Sequence, residues 1–472
     1  MINKTKVIST IGPATMEKEQ IRKLMANGTD VIRINMSHAD YNFCRNVVES
    51  VNELNKEMEL NVALLMDLMG PEVRIGKFIN ARAYFRKGDR VEVHMDEVLG
   101  DNTKFSVNYP NLIQEIGYNS IISIKDGTMT MEVIDILSEY FVCEVLNDAV
   151  IEDCQNLTVK DVKLKLPFIT HKDESDIMLA HKLDFDFISL SYVECAQHVL
   201  SVNDILINLK NDHIGLLSKI ETLEGVENID EIIRVSDGIM IARGDLGVSV
   251  SLERVPGIQK KIINKCHAAG IVSIVATELM SSMEHTSRPT RAEVSDVANA
   301  VLDGADAVML SGETTVGKYP IETLKMMEKI ISSAELDVDY KYYLDESSKN
   351  LSTDITSTIS LNVASSSLRL KCCAIIAPTI SGYTARMMSR FRPCCPIIAV
   401  SPSVKTVKSL QLHFGINPVL IDELNSFDKI VELSKQITFK LVSTKPGDKI
   451  IITGGYPFSE IKFTNFMQIE QL

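Results

Sequence analysis

Short apolar runs recur along most of the chain, and each run ends on small or polar residues. They begin near eight positions, which are Thr5, Asp30, Asn61, Phe185, Ile214, Asp237, Val272 and Asp306. All but one of the intervals between neighbouring runs measure 23 to 35 residues, a length that accommodates one strand and one helix. Because strands buried on both faces read as nearly continuous apolar segments, the pattern predicts eight parallel strands.

Helical periodicity fills the gaps between these runs. Apolar residues recur every three to four positions in segments 17–26, 41–58, 224–235, 257–269 and 321–334. Eight strand–helix units are what a closed parallel barrel requires. We therefore predict an α/β fold built on a (β/α)8 TIM barrel, with an open doubly wound sheet as the alternative.

Two further segments interrupt and follow this repeat. The long interval after the third run contains short alternating stretches such as RVEVHM and TMTMEVIDIL, which predict a small inserted domain, either a β-barrel or a β-sandwich. After about residue 348 a new set of helices and apolar strands predicts an α/β domain with a mostly parallel sheet. The predicted domains are the barrel at 1–70 and 168–345, the inserted domain at 71–167 and the C-terminal domain at 346–472.

Composition narrows the function classes. The chain has 472 residues and a net charge of −14, which argues against nucleic acid as a general partner. Its start lacks the apolar core of a signal peptide and no apolar run is long enough to span a bilayer, so we expect a cytoplasmic protein without membrane contact. Nine cysteines without metal-type spacing predict reduced, packed thiols.

Charged residues gather where the predicted strands end. Alternate residues of a strand share a face, so three strand ends each present a polar set on one face: Arg33, Asn35 and Ser37, then Lys219 and Glu221, then Arg243 and Asp245. Carboxyl ends of barrel strands are where barrel enzymes carry their catalytic groups. Polar strand ends facing water are the alternative interpretation.

The carboxylates Glu221 and Asp245 suit a hard cation such as Mg²⁺ or Mn²⁺, since these ions accept one or two carboxylates together with substrate oxygens and water. Lys219 beside them would offset the charge of a transferring phosphoryl group. Gly244 allows backbone N–H groups to approach an anion closely. The chain contains neither a Walker lysine loop nor a kinase glycine-rich loop, so phosphates would be bound by side chains and metal.

A series of motifs along nearly the whole chain resembles the pyruvate kinase family. The motifs are TIGPAT, RINMSH, MDLMGPEVRIG, LPFITHKD, LSYV, KIETLEG, IARGDLG, VATELMSSM, RPTRAEVSDVANAVLDGADAVMLSGET and TISGYTA. The resemblance implies transfer of phosphate from phosphoenolpyruvate to ADP, giving pyruvate and ATP as the last step of glycolysis. It also implies a requirement for Mg²⁺ (or Mn²⁺) and K⁺, a homotetramer, and an inserted domain that acts as a lid.

The resemblance assigns roles to matching residues. It implies that Arg33 and Lys219 hold the transferring phosphate and that Glu221 and Asp245 bind the divalent metal. Substrate carboxylate binding is implied for three residues, Gly244, Asp245 and Thr277, with Thr277 and Ser191 taking part in protonation. It implies that K⁺ is bound by four residues, Asn35, Ser37, Asp67 and Leu68. It also implies that the nucleotide phosphates face His38, Arg74 and Lys172. Glu72 matches the glutamate that accompanies K⁺ dependence in the family.

The TISGYT motif is a candidate effector site. The resemblance implies that Thr379, Ser381, Gly382 and Thr384 surround an effector phosphate, and a helix cap without a ligand is the alternative. Segment 455–457 lacks the basic group that would grip a second phosphate, which favours a sugar monophosphate or AMP over a bisphosphate.

Several residues depart from the family pattern, among them Leu68, Met69, Glu194 and Glu278. Two rival functions remain open at this point: a catalytically weak paralogue that senses phosphorylated metabolites, and another phosphoenolpyruvate enzyme on the same barrel.

Overall fold

The computed structural model describes residues 3–125, 127–160, 162, 164–211, 213–349, 353–423, 426–456 and 463–472. These residues divide into two compact units. One unit comprises residues 1–69 and 171–472, and the other comprises residues 70–170.

The chain opens with the first three strands of a barrel. The elements are β1 (Lys6–Thr10), α1 (Lys18–Ala26), β2 (Val31–Asn35), α2 (Tyr41–Met58) and β3 (Ala63–Asp67). The side chain of Asp40 accepts a hydrogen bond from the Phe43 N–H and so caps α2, as a short polar side chain does at a helix start. Cys44, Val47 and Val51 then repeat along the buried face of this helix.

The second unit is a β domain. Its elements are β4 (Val73–Arg74), β5 (Arg82–Phe85), β6 (Arg90–His94), β7 (Lys104–Ser106), α3 (Leu112–Glu115), β8 (Ile121–Ile124), β9 (Met129–Ile136), β10 (Tyr140–Val145), β11 (Ala149–Glu152) and β12 (Asn156–Val159). They form a seven-stranded sheet in the order β4-β12-β8-β9-β10-β6-β7 and a two-stranded sheet of β11 and β5. Three phenylalanines pack edge to face in its core, Phe78, Phe85 and Phe105, with ring centroids 6.2–6.3 Å apart.

The barrel resumes after residue 170. Its elements are α4 (His171–Lys182), β13 (Phe187–Leu190), α5 (Ala196–Asn208), β14 (Gly215–Ile220), α6 (Leu223–Glu227), α7 (Ile229–Ile233), β15 (Gly238–Ala242), α8 (Arg243–Ser249), α9 (Val255–Ala269), β16 (Val272–Ala276), α10 (Arg291–Leu302), β17 (Ala307–Leu310), α11 (Gly312–Thr315) and α12 (Pro320–Ala334). The strands close in the order β1-β17-β16-β15-β14-β13-β3-β2, and all eight neighbouring pairs are parallel. The predicted (β/α)8 barrel is confirmed, and each predicted run contributes one strand.

Two local predictions were wrong. The helix expected over 224–235 is broken at Asn228, which ends α6 and begins α7 while its side chain donates to the Glu194 carbonyl at 2.9 Å. Strand alternation was expected to place Arg243 and Asp245 on one strand face. The strand instead ends at Ala242, and both residues occupy the first turn of α8.

The C-terminal segment forms a second α/β layer. Its elements are α13 (Tyr340–Lys349), α14 (Ile355–Leu370), β18 (Ala374–Pro378), α15 (Tyr383–Ser389), β19 (Ile397–Ser401), α16 (Val404–Ser409), β20 (Ile416–Leu420), α17 (Phe427–Leu441), β21 (Lys449–Gly454) and β22 (Phe466–Gln471). The sheet order is β20-β19-β18-β21-β22, and every pair is parallel except β21 with β22. The predicted mostly parallel sheet is therefore confirmed.

This segment covers the amino ends of the barrel strands. Arg392 forms an ion pair with Asp306 at 3.0 Å, and both side chains are almost fully buried. The Arg392 guanidinium also stacks 4.2 Å from the centroid of the Phe414 ring. A backbone hydrogen bond of 2.7 Å joins the Gly415 N–H to the Lys4 carbonyl next to β1. The amino end of the barrel is thus sealed by paired charges and backbone hydrogen bonds.

None of the helices in the described ranges is both long enough and apolar enough to cross a membrane.

Candidate active site

The carboxyl ends of β2, β3 and β14 bring four charged side chains together. Asn35 and Asp67 are register partners on β2 and β3, and Arg33 lies two residues before Asn35. The Arg33 guanidinium donates to Asp67 Oδ2, with its Nε at 2.8 Å, and to the Thr10 hydroxyl at 2.9 Å. Lys219 Nζ lies 3.4 Å from Asp67 Oδ1. These side chains form one connected charge network, from which Lys219 continues to Glu221.

Lys219 is the centre of this network. Its ammonium lies 3.0 Å from Glu221 Oε1 and donates to the Ser191 hydroxyl at 2.8 Å. Burial alone would lower the pKa of Lys219, but Asp67 and Glu221 outweigh it and raise this pKa above its ordinary value. The ammonium therefore stays charged in a buried position. An ammonium held in this way can stabilise charge on a transferring group more strongly than one in water.

The two nearby carboxyl groups respond differently to burial. Burial alone would raise the pKa of Asp67, yet Lys219 and Arg33 together hold it below its usual range. Burial raises the pKa of Glu221 to about 7, Lys219 opposes that rise, and the neighbouring charge of Asp245 adds to it. Glu221 and Asp245 therefore repel each other, and such a pair of carboxyl groups suits a divalent cation, which would relieve the repulsion and supply the missing countercharge.

Glu221 and Asp245 fit a hard divalent ion by the chemistry of their oxygens. Glu221 is almost fully buried, its Oε1 lies 3.0 Å from the Lys219 ammonium, and its Oε2 accepts the Tyr192 N–H at 2.6 Å. Among the described residues, no group of three or more histidine, cysteine, aspartate or glutamate side chains is gathered as a metal cluster. A site with two protein carboxylates leaves its remaining positions to substrate oxygens and water.

Thr277 follows β16 in a strained conformation. Its φ is +66°, and Glu278 after it has a φ of +54°, in the left-handed region that β-branched and bulky residues avoid. The turn is held because Arg243 donates twice to the Thr277 carbonyl, at 2.7 and 3.2 Å. The Thr277 hydroxyl accepts the Gly244 N–H at 2.8 Å. Backbone strain maintained by surrounding bonds is characteristic of functional sites.

A cavity of about 630 Å³ opens beside these groups. Its polar lining includes Arg33, Asn35, His38, Thr277 and Ser311, and the Ser311 hydroxyl is buried without a hydrogen-bond partner in the described residues. Its apolar lining includes Met16, Phe43 and Val316. The combination of an apolar wall with a few converging polar groups is typical of a small-molecule site.

Several sequence-predicted residues lie in this network or cavity, and the others form contacts within their own compact units. The first group consists of Arg33, Asn35, His38, Asp67, Ser191, Lys219, Glu221, Gly244, Asp245 and Thr277. The Leu68 carbonyl accepts the Ser191 hydroxyl at 2.8 Å, and the Ser37 N–H donates to Asn35 Oδ1 at 3.0 Å. Lys172 pairs with Asp176 at 2.6 Å on α4, whereas Arg74 belongs to the β domain and pairs there with Glu72 at 2.6 Å.

The effector candidates lie in the loop between β18 and α15 and in the first turn of α15. The Gly382 N–H donates to the Thr379 hydroxyl at 3.0 Å, and Gly382 has a φ of +79°. The alternative cap by Ser381 or Thr384 is not formed, since Gly382 itself is the N-cap and no side chain caps α15. The Thr384 hydroxyl is bonded to the Thr464 hydroxyl at 2.9 Å. In segment 455–457, residue 457 lies outside the described residues.

Part of the structure that supports the site was not evident from the sequence. Thr10 and Ser189 hold the buried charges, since the Ser189 hydroxyl donates to Asp67 Oδ1 at 2.7 Å and Thr10 accepts from Arg33. Arg243 was singled out at a strand end without a role, and it fixes the Thr277 turn. Thr10 and Arg243 stand at or next to strand ends, and that position was the available signal. The apolar wall of the cavity gave no such signal, because Met16 precedes one predicted helix and Phe43 lies in the first turn of another, where apolar residues are ordinary.

The comparisons with known proteins agree over the whole chain. The family described as "Pyruvate kinase, barrel domain" matches residues 2–324, and "Pyruvate kinase, alpha/beta domain" matches residues 357–470. A pyruvate kinase of Clostridium perfringens is 39% identical over 474 residues and covers 100% of both chains. That of Geobacillus stearothermophilus is 39% identical and covers 99% of this chain and 80% of its own.

Among solved structures, a pyruvate kinase from Cryptosporidium parvum superposes with a TM-score of 0.87 at 31% sequence identity. The match covers 99% of this chain and 96% of the solved chain. The barrel, the charge network at its carboxyl end and the matches to both family domains lead to one conclusion: the chain belongs to the pyruvate kinase family, a family of phosphotransferase enzymes.

Proposed function

We propose that the chain transfers the phosphoryl group of phosphoenolpyruvate to ADP and releases pyruvate and ATP. The observation that carries this proposal is the buried ammonium of Lys219, held 3.0 Å from Glu221 and bonded to Ser191. Phosphoryl transfer needs positive charge positioned where negative charge accumulates on the transferring group. The network at the carboxyl end of the barrel meets that need with two buried cations, Lys219 and Arg33.

Arg33 and Lys219 would hold the transferring phosphate. Both side chains are at least four-fifths buried, and both share the countercharge of Asp67. A phosphate that binds there would enter a network of two cations, Arg33 and Lys219, and two carboxyl groups, those of Asp67 and Glu221. The fixed orientation of Arg33 on Asp67 and Thr10 means that little reorganisation is needed when the phosphate binds.

Glu221 and Asp245 would hold Mg²⁺ or Mn²⁺. When bound, such an ion neutralises phosphate charge and polarises substrate oxygens. The Tyr192 N–H, bonded to Glu221 at 2.6 Å, orients the carboxylate for this role. Asn35, Ser37, Asp67 and the Leu68 carbonyl are the proposed oxygen ligands of K⁺, and their positions around β2 and β3 support that assignment.

The Thr277 turn would receive the substrate carboxylate and take part in protonating the enolate. Its hydroxyl accepts the Gly244 N–H at 2.8 Å, so a substrate carboxylate that takes this N–H would release the hydroxyl for another partner. Ser191 lies next to the Lys219 ammonium and is the second candidate in the proton relay. Both residues stay proposals for the relay.

ADP would lie along the 630 Å³ cavity, with its base against the apolar wall formed by Met16 and Phe43. His38 lines the same cavity and is the proposed phosphate contact there. Lys172 and Arg74 are further proposed contacts of the nucleotide phosphates.

We also propose a cytoplasmic homotetramer of about 210 kDa, four times the chain mass of 52.5 kDa. An effector phosphate at Thr379, Ser381, Gly382 and Thr384 remains a prediction.

A coupled assay tests the function. Purified chain is mixed with phosphoenolpyruvate, ADP, Mg²⁺ and K⁺, and pyruvate is followed through lactate dehydrogenase. We expect ADP-dependent pyruvate formation that Glu221→Gln reduces strongly. Pyruvate formation at an equal rate without ADP contradicts the proposal and would favour another phosphoenolpyruvate enzyme. No pyruvate formation under saturating conditions also contradicts it and would favour the metabolite-sensing alternative.

A further inference from the structure

A second cavity, of about 430 Å³, lies at the opposite end of the barrel. It is enclosed by the starts of β13, β14 and β16, by the loops before β15 and β16, and by residues of the C-terminal segment. Cavities of about 300–1,000 Å³ hold small metabolites. The lining carries five ionisable side chains, which are His213, Asp237, Arg386, Lys405 and His413.

Arg386 projects from α15 toward this space and is half-buried. Within the described ranges its guanidinium forms no hydrogen bond or ion pair. Burial lowers its pKa, and the nearby charge of Asp237 offsets only part of that effect. Asp237 is itself engaged, because its Oδ2 accepts the Leu216 N–H at 2.8 Å. A partly desolvated guanidinium whose planar donors remain open is suited to an anion with several oxygens.

Lys405 is held at the same cavity by a relay from the barrel. Its ammonium lies 3.0 Å from His213 Nδ1, and His213 Nε2 lies 2.9 Å from Asp184 Oδ1. An ammonium can only donate, so Nδ1 is the acceptor and the proton of the neutral ring sits on Nε2, facing Asp184. The relay uses one of the three ammonium protons and leaves two for a ligand.

His413 adds a neutral polar group. It is only 9% exposed, and its Nδ1 has no hydrogen-bond partner among the described residues. Burial and then the charge of Arg386 lower the pKa of His413 to about 3, so the ring is uncharged at neutral pH. A buried ring nitrogen that lines a cavity and lacks a partner points to a hydrogen-bonding ligand.

We propose that this cavity binds a small phosphomonoester, with the phosphate on Arg386 and Lys405 and a hydroxyl or ring nitrogen of the ligand on His413. The site is separate from the active-site cavity at the carboxyl end. It also differs from the predicted effector loop, with which it shares only Ser381. The lining has two cations, Arg386 and Lys405, and one carboxylate, Asp237, so its net charge is positive, as the binding of an anion requires.

The cavity is positioned to regulate the proposed reaction, and this part of the inference rests on the proposed function. Its wall includes Asp237, directly before β15, and Gly270 to Val272, at the start of β16. Each strand has five residues and so spans about 16 Å at 3.3 Å per residue. At their other ends these strands lead directly into Gly244, Asp245 and Thr277. A ligand in the cavity therefore contacts the start of β16 and the residue that leads into β15, and these two strands carry the substrate turn.

Calorimetric titration of the full chain tests binding without any turnover. The probes are ribose 5-phosphate, AMP, ribose and inorganic phosphate, so that sugar and nucleotide sources are compared and the phosphate requirement is isolated. We expect at least one of the two phosphomonoesters to bind and ribose not to bind. Arg386→Leu and Lys405→Ala should each weaken the affinity at least tenfold, whereas Lys429→Ala, which removes an exposed lysine of α17, should not change it.

The variant Thr384→Glu separates this cavity from the effector loop, because it places a negative charge in the loop and leaves the cavity cations intact. We expect it to keep most of the affinity. The proposal is overturned if no phosphomonoester binds, or if Thr384→Glu abolishes binding while both cation variants retain it. Thermal midpoints check that each variant is folded, and Lys405→Ala tests the site if Arg386→Leu fails to fold.

Kinetics tests the coupling. At subsaturating phosphoenolpyruvate, the bound phosphomonoester should change the apparent substrate affinity at least twofold, and Lys405→Ala should remove that change. Binding without any change in apparent affinity would contradict the regulatory part. An enzyme that binds the ligand by calorimetry but forms no pyruvate would contradict the proposed function and leave the cavity assignment standing.

Discussion

The two ends of the barrel use charge in opposite ways, although the same eight strands build both. At the carboxyl end, Lys219 and Arg33 are buried beside Asp67 and next to a cavity of about 630 Å³. At the amino end, Arg392 and Asp306 pair at 3.0 Å beneath the C-terminal segment. One set of charges faces a space that a substrate can fill, and the other is enclosed by protein.

The difference follows from what terminates each strand. The carboxyl ends lead into turns with unusual backbone, such as the positive φ values of Thr277 and Glu278. The amino ends begin in short loops whose backbone groups are bonded by carboxylates, as when Asp306 accepts the Ser273 N–H at 2.8 Å. Barrels generally separate function and stability between their two faces in this way. Substitutions at the two ends should therefore affect different measurements.

The largest effect is expected at the carboxyl end. Lys219→Met should lower kcat about 10³-fold or more, which corresponds to roughly 4 kcal/mol, because the ammonium that stabilises the transferring group is lost. The free energy of unfolding should change far less than activity. Steady-state kinetics with Lys260→Met, an exposed lysine of α9, as the control checks this. A loss of less than tenfold would remove Lys219 from the mechanism.

At the amino end, stability should change instead of catalysis. Arg392→Met leaves Asp306 buried without its ion-pair partner, and such a loss costs about 3 kcal/mol. Chemical denaturation should show this loss, while kcat at 25 °C stays within about twofold. The exposed Arg369 provides the control variant Arg369→Met, which should unfold like the parent. Equal stability of Arg392→Met and the parent would show that the pair does not seal the barrel.

A third prediction uses pH at the amino end. Burial raises the pKa of Glu328 to about 8, and the negative charges of Asp30 and, weakly, Glu335 add to the rise. Asn3, which donates a hydrogen bond to Glu328 at 2.6 Å, and Lys6 oppose it. The folded state therefore keeps a proton that the unfolded state loses above its ordinary pKa of about 4.5. Stability from this group should fall as pH rises from about 4.5 to 8.

Glu328→Gln removes the titration and tests its size. One pKa unit is worth about 1.4 kcal/mol, and partial exposure of the side chain reduces the total to roughly 2 kcal/mol. The unfolding free energy of the variant should decline less between pH 5 and 8 than that of the parent. Parallel pH profiles for the two proteins would show that Glu328 is ionised throughout.

The smallest effect sharpens the account of the K⁺ ligands. Replacing K⁺ by tetramethylammonium at equal ionic strength should lower activity at least tenfold, about 1.4 kcal/mol, because Asn35 and Asp67 then lack their proposed cation. Coupled assays over a K⁺ titration measure this. Full activity without K⁺ or a substitute ion would contradict the assignment.

Sequence reasoning was most reliable where one physical rule decides the outcome. Burial on both faces makes a barrel strand apolar, so all eight strands could be located. It was wrong where side chains override a local pattern, as at Asn228, whose bond to the Glu194 carbonyl accompanies a break in the expected helix. Alternation also failed at Arg243, because the chain leaves the strand one residue earlier.

The candidate site shows the same division. Lys219 and Glu221 were expected together and lie 3.0 Å apart, since two residues of one strand end cannot be far from each other. The mutual bonding of Arg33 and Asp67 was not expected, because the resemblance gave them separate roles. The cavity of Arg386 and His213 could not be predicted at all. These two residues are more than 170 positions apart in the sequence, and only the tertiary fold brings them together.

The central claim is that the carboxyl end of the barrel transfers phosphate from phosphoenolpyruvate to ADP. Phosphorus NMR of the purified chain with both substrates, Mg²⁺ and K⁺ tests it most directly, because it identifies the phosphorus acceptor. The account predicts that the phosphoenolpyruvate resonance is replaced by the γ-phosphate resonance of ATP, and that this does not occur in Lys219→Met. Persistence of phosphoenolpyruvate, or its conversion to inorganic phosphate, would contradict the account.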